Sequence, residues 1–236
     1  MTGRALVIHH LRPVPEDAAT AVLIEAGYEL DRRFPIEGDA LSHPDEGHDI
    51  VLMHGSLADV TKSEAPGIAE EQRWIESWWG TGRPFFGICH GLQLAAQLLG
   101  ARVGSPEHGQ AEFGYYPLIS HAPDLVPDGL HVFQWHYYSA DLPVGCKRLA
   151  SSALYPNQAV RFGPARYGLQ FHAELRLEDQ QFLRTADSGW TARAGAQGTA
   201  EQEDLAAQHF EPMRAWLRGF VMAWLDEAQS LDRTTS

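Results

Sequence analysis

The segment from Arg83 to Gly100 contains a cysteine framed by two glycines. Gly87 and Gly91 each lie two residues from Cys89, after an aliphatic and aromatic run and before a run of helical composition. This framing lets the chain turn sharply from a strand into a helix and exposes the central side chain. A helix N-terminus favours the thiolate of such a cysteine. The pattern predicts that Cys89 attacks carbonyl carbons and that the backbone N–H of His90 holds the oxyanion.

A cysteine nucleophile requires a base and a group that orients the base. The segment 167–174, Tyr-Gly-Leu-Gln-Phe-His-Ala-Glu, alternates between apolar residues and a second set, Gln170, His172 and Glu174. In extended chain, side chains two residues apart lie on the same face. We therefore expect Glu174 to reach one imidazole nitrogen of His172 while the other nitrogen faces the cysteine.

The elements that would position these residues alternate through the first hundred positions. Short aliphatic runs predict strands, and runs with apolar residues at helical spacing, closed by glycine, predict helices. This order predicts an α/β fold, with a mostly parallel central sheet and helices on both faces. The predicted strands are 4–10, 28–34, 48–53 and 84–89, and the predicted helices are 16–26, 66–79 and 90–99.

The second half of the chain predicts added, partly antiparallel strands. Its short alternating runs are 113–119, 131–138, 158–162 and 166–172. Residues 187–200 are small and polar, which predicts a loop. An apolar stripe from Phe210 to Trp224 then predicts an amphipathic helix over about 202–229, packed on the core and kinked or started afresh at Pro212. We expect residues 1–236 to form a single domain with its core at about 4–185.

Composition excludes several classes of function. The 236 residues include 18 basic and 31 acidic side chains, so the net charge is −13. This balance repels phosphate backbones and anionic lipids, so neither nucleic acid nor a membrane is an expected partner. The apolar runs are too short to span a bilayer, and the N-terminal run is too short for a signal peptide. With two cysteines, a disulfide framework is implausible and we expect a cytoplasmic protein.

The neighbouring histidines do not have the spacing of a metal site. His43, His48 and His54, or the pair His9-His10, show spacings that fit no standard ligand pattern. No metal and no other cofactor is therefore expected.

The cysteine and histidine motifs together resemble those of the class I glutamine amidotransferase family, the type with a Cys-His-Glu triad. Residues 87–93 match its Gly-x-Cys-x-Gly-x-Gln elbow, and residues 170–174 match its Gln-Phe-His-Pro-Glu ending with alanine in place of proline. Residues 135–143, with Trp-His followed by Asp-Leu-Pro, most resemble the stand-alone branch that is similar to the amidotransferase domain of GMP synthase.

This resemblance implies a flavodoxin-like three-layer sandwich and hydrolysis of a γ-glutamyl amide. Cys89 would attack the amide carbon to form a thioester. His172 would protonate the leaving ammonia or amine and then activate water, while Glu174 holds its tautomer and stabilises the imidazolium.

The resemblance also implies the remaining parts of the site. Backbone N–H groups of Gly55 and His90 would form the oxyanion hole. Gln93, His136 and Tyr137 would bind the amino-acid end of the substrate. The implied small-molecule partner is glutamine or another γ-glutamyl compound, and the resemblance also allows a separate synthase subunit that accepts the ammonia.

The sequence departs from the family pattern near the oxyanion loop and the pocket. His54-Gly55-Ser56 stands where the family usually has Gly-Gly-Pro or Gly-Gly-Ser. A residue other than glycine at 54 is compatible with the loop if Gly55 has the positive φ. Tyr137 and Tyr138 stand where relatives carry small or acidic residues. Two phenol rings would narrow the glutamine pocket or reshape it for another γ-glutamyl compound.

Two rival readings remain from the sequence. The Ile-Cys-His-Gly run at 88–91 resembles the elbow of the DJ-1/PfpI group, in which His90 itself would act with Cys89. The second rival is a non-catalytic subunit that keeps the fold and regulates a partner. The presence of Gln93 and of the His172–Glu174 ending favours the amidotransferase reading over both.

Overall fold

The computed structural model describes residues 3–10, 16–65, 67–186 and 189–235. Strands and helices alternate in the first hundred positions, in the predicted order. The start of the predicted helix 66–79 lies outside the described residues. The elements are β1 (Arg4–Ile8), α1 (Ala18–Glu25), β2 (Glu29–Arg33), β3 (Ile50–Met53), α2 (Ile68–Gly80), β4 (Phe85–Ile88) and α3 (His90–Leu98).

The second half contains short strands and two more helices. Four of its elements, at 103–104, 139–140, 147–151 and 177–186, are not predicted by the sequence, because their apolar periodicity is too weak or too short. The elements are β5 (Val103–Gly104), β6 (Glu112–Pro117), β7 (Ile119–Ser120), β8 (His131–His136), β9 (Ser139–Ala140), β10 (Lys147–Ser151), β11 (Ala159–Gly163), β12 (Arg166–Leu169), α4 (Leu177–Ala186) and α5 (Thr199–Thr235).

The central sheet has eight strands in the order β2-β1-β3-β4-β12-β11-β10-β7. The strands from β2 to β12 pair in parallel, and β11, β10 and β7 are added in antiparallel pairings. The pairs β5–β9 and β6–β8 form two further antiparallel sheets. The predicted α/β fold, with a mostly parallel sheet extended by antiparallel strands, is confirmed.

Helices cover both faces of this sheet because side chains alternate along each buried strand. On one face, Val7 and Leu52 pack in a cluster with residues of α1 and α5. On the other face, Ile8 and Met53 pack in a second cluster with residues of α2 and α3. The parallel strands therefore end at one edge with helices on either side, which is where loops can bring distant residues together.

The strand that leads to the predicted base is shorter than expected. β12 ends at Leu169, so the alternation predicted through residue 172 stops before His172. From there the chain is held by separate contacts: the His172 backbone N–H donates to Phe133 O at 2.8 Å, and the Glu174 carbonyl accepts from Ala18 N at 3.0 Å. The segment that carries His172 is therefore positioned by α1 and β8 rather than by strand pairing.

The C-terminal helix is one element of 37 residues, Thr199–Thr235, and continues through Pro212. The expectation that it starts afresh at Pro212 is wrong. Buried anchors on both sides of the proline, Gln202 before it and Met213 and Leu217 after it, hold the helix together. Residues 187 and 188 of the predicted loop lie outside the described residues, and Trp190–Ala192 is a short 3₁₀ helix. No helix among the described residues combines the length and apolarity that crossing a membrane requires.

Replacing Trp224 by alanine tests whether α5 is part of the core. The Trp224 ring packs on Phe86 at 5.4 Å between centroids, and its Nε1–H donates to Ala165 O at 2.9 Å. We expect the free energy of unfolding to fall by about 3–5 kcal/mol, measured by urea denaturation. Met222→Ala, at a side chain 49% exposed on the same helix, should change it by less than about 0.5 kcal/mol. Equal losses in the two variants would contradict this packing.

Candidate active site

The sharp corner between β4 and α3 places Cys89 in left-handed backbone, with φ +49° and ψ −95°. A side chain in this region is strained, and the surroundings must hold it there. The Cys89 backbone N–H donates to Leu169 O at 2.7 Å. A Cβ on Gly87 would lie 2.5 Å from the backbone carbon of Gly91, and one on Gly91 would lie 2.7 Å from Met53 O. Both glycines are therefore required for close approach, while the strained φ falls on the cysteine.

The Cys89 thiol is less exposed than the sequence predicts. The residue retains only 7% of its accessible surface. Gln170, a fully buried side chain, donates from Nε2 to the Cys89 sulfur at 3.5 Å. The sequence motif includes Gln170 but assigns it no role. Its shared face with His172 and Glu174 is the signal that points to it.

His172 lies between Cys89 and Glu174. Its Nδ1–H donates to Glu174 Oε1 at 2.8 Å, which leaves Nε2 for the sulfur. The imidazole hydrogen-bonds to the Cys89 side chain. The His172 and Cys89 side chains both lie beside Gly55. A Cβ on Gly55 would be 3.4 Å from His172 Nε2 and 3.5 Å from Cys89 Cβ. The structure thus brings the three predicted catalytic side chains together.

The electrostatic environment keeps His172 protonated. Burial alone would lower the pKa of His172, but the charge of Glu174 and the hydrogen bond with Cys89 raise it to about 10. The imidazole is therefore cationic at neutral pH, where a free histidine is mostly neutral. A protonated imidazole beside a sulfur stabilises the thiolate and can deliver a proton to a leaving group.

The predicted oxyanion loop needs a glycine because of close packing rather than because of its backbone conformation. The φ of Gly55 is not in the left-handed region, so the condition of a positive φ at this residue is not met. Glycine is needed instead because a Cβ at this position would lie 2.6 Å from His172 Cε1. The Gly55 carbonyl accepts a hydrogen bond from His10 Nδ1 at 3.0 Å, which holds the peptide that follows it.

His54, which precedes this glycine, belongs to a group of buried imidazoles. Its ring stacks on His9 with centroids 4.5 Å apart, and its Nε2 lies 3.4 Å from Asp17 Oδ2. Burial lowers the pKa of His54 to about 4, so it is neutral at neutral pH. The neutral His54 ring therefore fills the space beside the predicted oxyanion loop.

Gln93 and His136, two of the predicted substrate-binding residues, use their polar atoms within the protein. Gln93 Nε2 donates to Gln170 Oε1 at 3.2 Å and makes a longer contact to Tyr138 O at 3.5 Å. The His136 ring nitrogens lie 2.9 Å from Tyr138 O and from Gln134 Oε1. Both side chains are buried and fix the chain around residue 138.

Tyr137, the third predicted substrate-binding residue, is 37% exposed. The Arg193 guanidinium lies 4.0 Å from the centre of its ring, and Tyr138 packs against the ring edge-on. Tyr138 in turn donates from its hydroxyl to Asp59 Oδ2 at 3.1 Å. The two tyrosines thus form an accessible aromatic wall that links the 193 segment to the loop containing Asp59.

His90 supplies its backbone, but not its imidazole, to the cysteine corner. Its Nε2 lies 2.7 Å from Glu71 Oε2, and the other oxygen of Glu71 lies 2.8 Å from His10 Nε2. Burial alone would raise the pKa of Glu71, but its hydrogen bonds with His10 and His90 lower it to about 2. This arrangement turns the His90 ring toward α2.

A family model and several known proteins are similar to this chain. The family model described as Glutamine amidotransferase class-I matches residues 17–186. The GMP synthase [glutamine-hydrolyzing] of Prochlorococcus marinus is 41% identical over 103 residues, which are 41% of this chain but only 19% of that enzyme. The putative glutamine amidotransferase-like protein YfeJ of Salmonella typhimurium is 30% identical over 205 residues, with 81% of both chains covered.

A solved structure extends the likeness to nearly the whole chain. The crystal structure of a glutamine amidotransferase from Thermotoga maritima superposes with a TM-score of 0.82 at 25% identity, covering 95% of this chain and 98% of that one.

Gly55→Ala should disturb the base without unfolding the chain. The added methyl group would displace the His172 imidazole and so reduce the reactivity of Cys89 by about 100-fold. The measurement is the rate of iodoacetamide labelling of the Cys89 peptide, followed by mass spectrometry. Gly80→Ala is the matched control, since nothing lies within 4 Å of its Cβ position. Labelling of the Gly55 variant at the wild-type rate would contradict the crowding inferred here.

Proposed function

The chain belongs to the class I glutamine amidotransferase family, and from this premise we propose that it hydrolyses the side-chain amide of glutamine or of another γ-glutamyl compound. The observation that carries the proposal is the placement of the His172 imidazole between the Cys89 sulfur and the Glu174 carboxylate. Nucleophile, base and orienting group thus stand in the order that covalent acyl transfer requires.

In the first half of the proposed reaction, the Cys89 thiolate attacks the γ-carbonyl carbon. The backbone N–H groups of Gly55 and His90 stabilise the oxyanion of the tetrahedral intermediate. The C–N bond then breaks as the His172 imidazolium protonates the leaving nitrogen. The products of this half are a γ-glutamyl thioester on Cys89 and free ammonia or amine.

In the second half, water attacks the thioester carbon. His172, now neutral, accepts a proton from the water. The C–S bond breaks, glutamate leaves and the thiolate–imidazolium pair is restored. Glu174 stabilises the imidazolium in both halves and holds Nδ1 as a donor, so that Nε2 always faces the reacting atoms.

We assign Gln93, His136 and Tyr137 to the substrate side of the site in different ways. The hydrogen bond from Gln93 to Gln170 fixes the Gln170 amide, which lies next to the Cys89 sulfur. His136 holds the carbonyl of Tyr138. The ring of Tyr137 is 37% exposed, and we assign it to contact with the substrate.

The fate of the released nitrogen is a separate part of the proposal. We propose that residues 1–236 form one amidotransferase domain, with ammonia or amine either released or passed to a separate synthase subunit. The chain matches only 19% and 24% of the length of the first two GMP synthases. Their synthase activity is therefore not transferred to this chain.

The geometry supports neither rival reading. A reaction of the DJ-1/PfpI kind would need the His90 ring at the sulfur, whereas its Nε2 is engaged by Glu71 at 2.7 Å. A non-catalytic regulator would not need the imidazole–carboxylate pair that raises the pKa of His172 to about 10.

A screen of glutamine and γ-glutamyl amines and peptides tests the proposed activity. We expect the wild-type chain to release ammonia or amine and Cys89→Ala to lose at least about 10³-fold of that rate, because the acyl-enzyme cannot form. Cys146→Ala is the control, since Cys146 is the other cysteine and should keep full activity. Turnover of the Cys89 variant at the rate of the control would overturn the mechanism.

Separate variants of the two histidines distinguish the proposed base from its rival. His172→Ala should reduce kcat by at least about 100-fold, because proton transfer to the leaving group is lost. His90→Gln should keep Cys89 acylation, because only its backbone N–H is assigned to the reaction. Loss in His90→Gln together with activity in His172→Ala would favour the DJ-1/PfpI reading.

The pH dependence of kcat/KM tests the role of Glu174. The pKa of His172 is raised, so the imidazolium is present at neutral pH and is lost as the pH rises through about 10. We expect activity to decline over that range in the wild type. In Glu174→Gln the carboxylate charge is absent, so the decline should move to lower pH. An alkaline limb at the same pH in both enzymes would contradict the assignment.

A further inference from the structure

Three buried ionisable side chains meet behind the oxyanion loop. His10 follows β1, Glu71 lies in α2, and His90 is the first residue of α3. Their side chains are between 0 and 1% exposed. Groups this deeply buried must be paired, because an uncompensated charge or polar atom is costly to remove from water.

The three side chains converge on one point. His10 Nε2 and His90 Nε2 lie 2.8 and 2.7 Å from the two oxygens of the Glu71 carboxylate. One ligand atom from each residue lies within 4.8 Å of the others. The donors bound to one tetrahedral zinc ion are separated by roughly 3.4 Å, given Zn–N and Zn–O distances near 2.1 Å. Small shifts therefore convert the observed arrangement into a coordination shell.

One buried nitrogen of this cluster has no partner. His10 Nδ1 lies 3.0 Å from the Gly55 carbonyl oxygen, and His10 Nε2 faces one oxygen of the carboxylate. His90 Nε2 faces the other carboxylate oxygen, while His90 Nδ1 is buried and makes no hydrogen bond.

We propose that His10, Glu71 and His90 form a zinc site. The ion is coordinated by the two Nε2 atoms and a carboxylate oxygen, and water takes the fourth position that three protein ligands leave open. Two imidazoles with one carboxylate suit zinc better than magnesium or calcium, which prefer oxygen ligands.

Zinc binding through Nε2 is compatible with the other contact of His10. Its Nδ1 lies 3.0 Å from the Gly55 carbonyl oxygen and keeps this contact when Nε2 binds the ion. A ligating imidazole whose second nitrogen is held by a backbone carbonyl is a usual arrangement around protein-bound zinc. Protons carried by the ligating atoms leave to solvent when the ion binds.

The proposed site ties together the elements that surround Cys89. The ion would connect the end of β1, helix α2 and the first residue of α3, and through His10 it would hold the Gly55 peptide. This assignment does not rest on the proposed hydrolase activity, and it is tested by metal content rather than by turnover.

Metal titration of the full chain tests the proposal. The purified protein is stripped with a chelator and titrated with Zn²⁺, with bound metal counted by mass spectrometry. Co²⁺ serves as the spectroscopic probe. We expect one tightly bound equivalent, a visible d–d absorption band for Co²⁺, release of protons on binding and weaker binding at lower pH. A stripped protein that binds no zinc overturns the proposal.

Matched variants locate the ion. Glu71→Gln should weaken zinc binding by at least about 100-fold, whereas Glu70→Gln, whose carboxylate accepts from Leu41 N, should bind as the wild type does. Cys89→Ala should also keep the ion, which separates this site from capture by the thiol. Loss of zinc in Cys89→Ala, or equal affinity in the two glutamate variants, refutes the site. If Glu71→Gln does not fold, the melting temperature of the stripped wild-type protein replaces this comparison. We expect it to rise when Zn²⁺ is added back, and an unchanged melting temperature refutes the site.

Discussion

The candidate site depends on one strained peptide corner at the carboxyl edge of the sheet. Cys89 has a φ of +49°, which a residue other than glycine adopts only when its neighbours enforce it. The enforcement comes from the contact between Gly87 and Gly91 and from the bond of the Cys89 N–H to Leu169 O. Because that acceptor is the last residue of β12, the corner and the segment that carries His172 are held in register.

The buried histidines around this corner differ widely in pKa. It lowers the pKa of His9 to about 2 and that of His54 to about 4, so both rings are neutral. At His172 the same desolvation is outweighed by the Glu174 charge and the Cys89 sulfur, and the pKa is about 10. His9, His54 and His172 are buried to a similar depth, so the charged partners of His172, and not its burial, account for its protonation.

Some parts of the predicted site can be recognised in the sequence, and others cannot. The glycine frame of Cys89 and the spacing of His172 and Glu174 are local features, so they are readable in the sequence. The bond between Gln93 and Gln170 is not, because these two residues lie 77 positions apart and meet only after the strands are assembled. The same holds for the meeting of His10 with Glu71, which lie 61 positions apart.

From the sequence alone, the alternation of strands and helices and the family resemblance could be predicted and Cys89 could be proposed as the nucleophile, because periodicity and glycine spacing act over a few residues. Only the tertiary structure decided why Gly55 must be glycine, which imidazole faces the sulfur and how α5 passes through Pro212. These outcomes depend on space and charge contributed by distant segments. A Cβ at residue 55 would be crowded only because the folded chain places His172 Cε1 2.6 Å from that position.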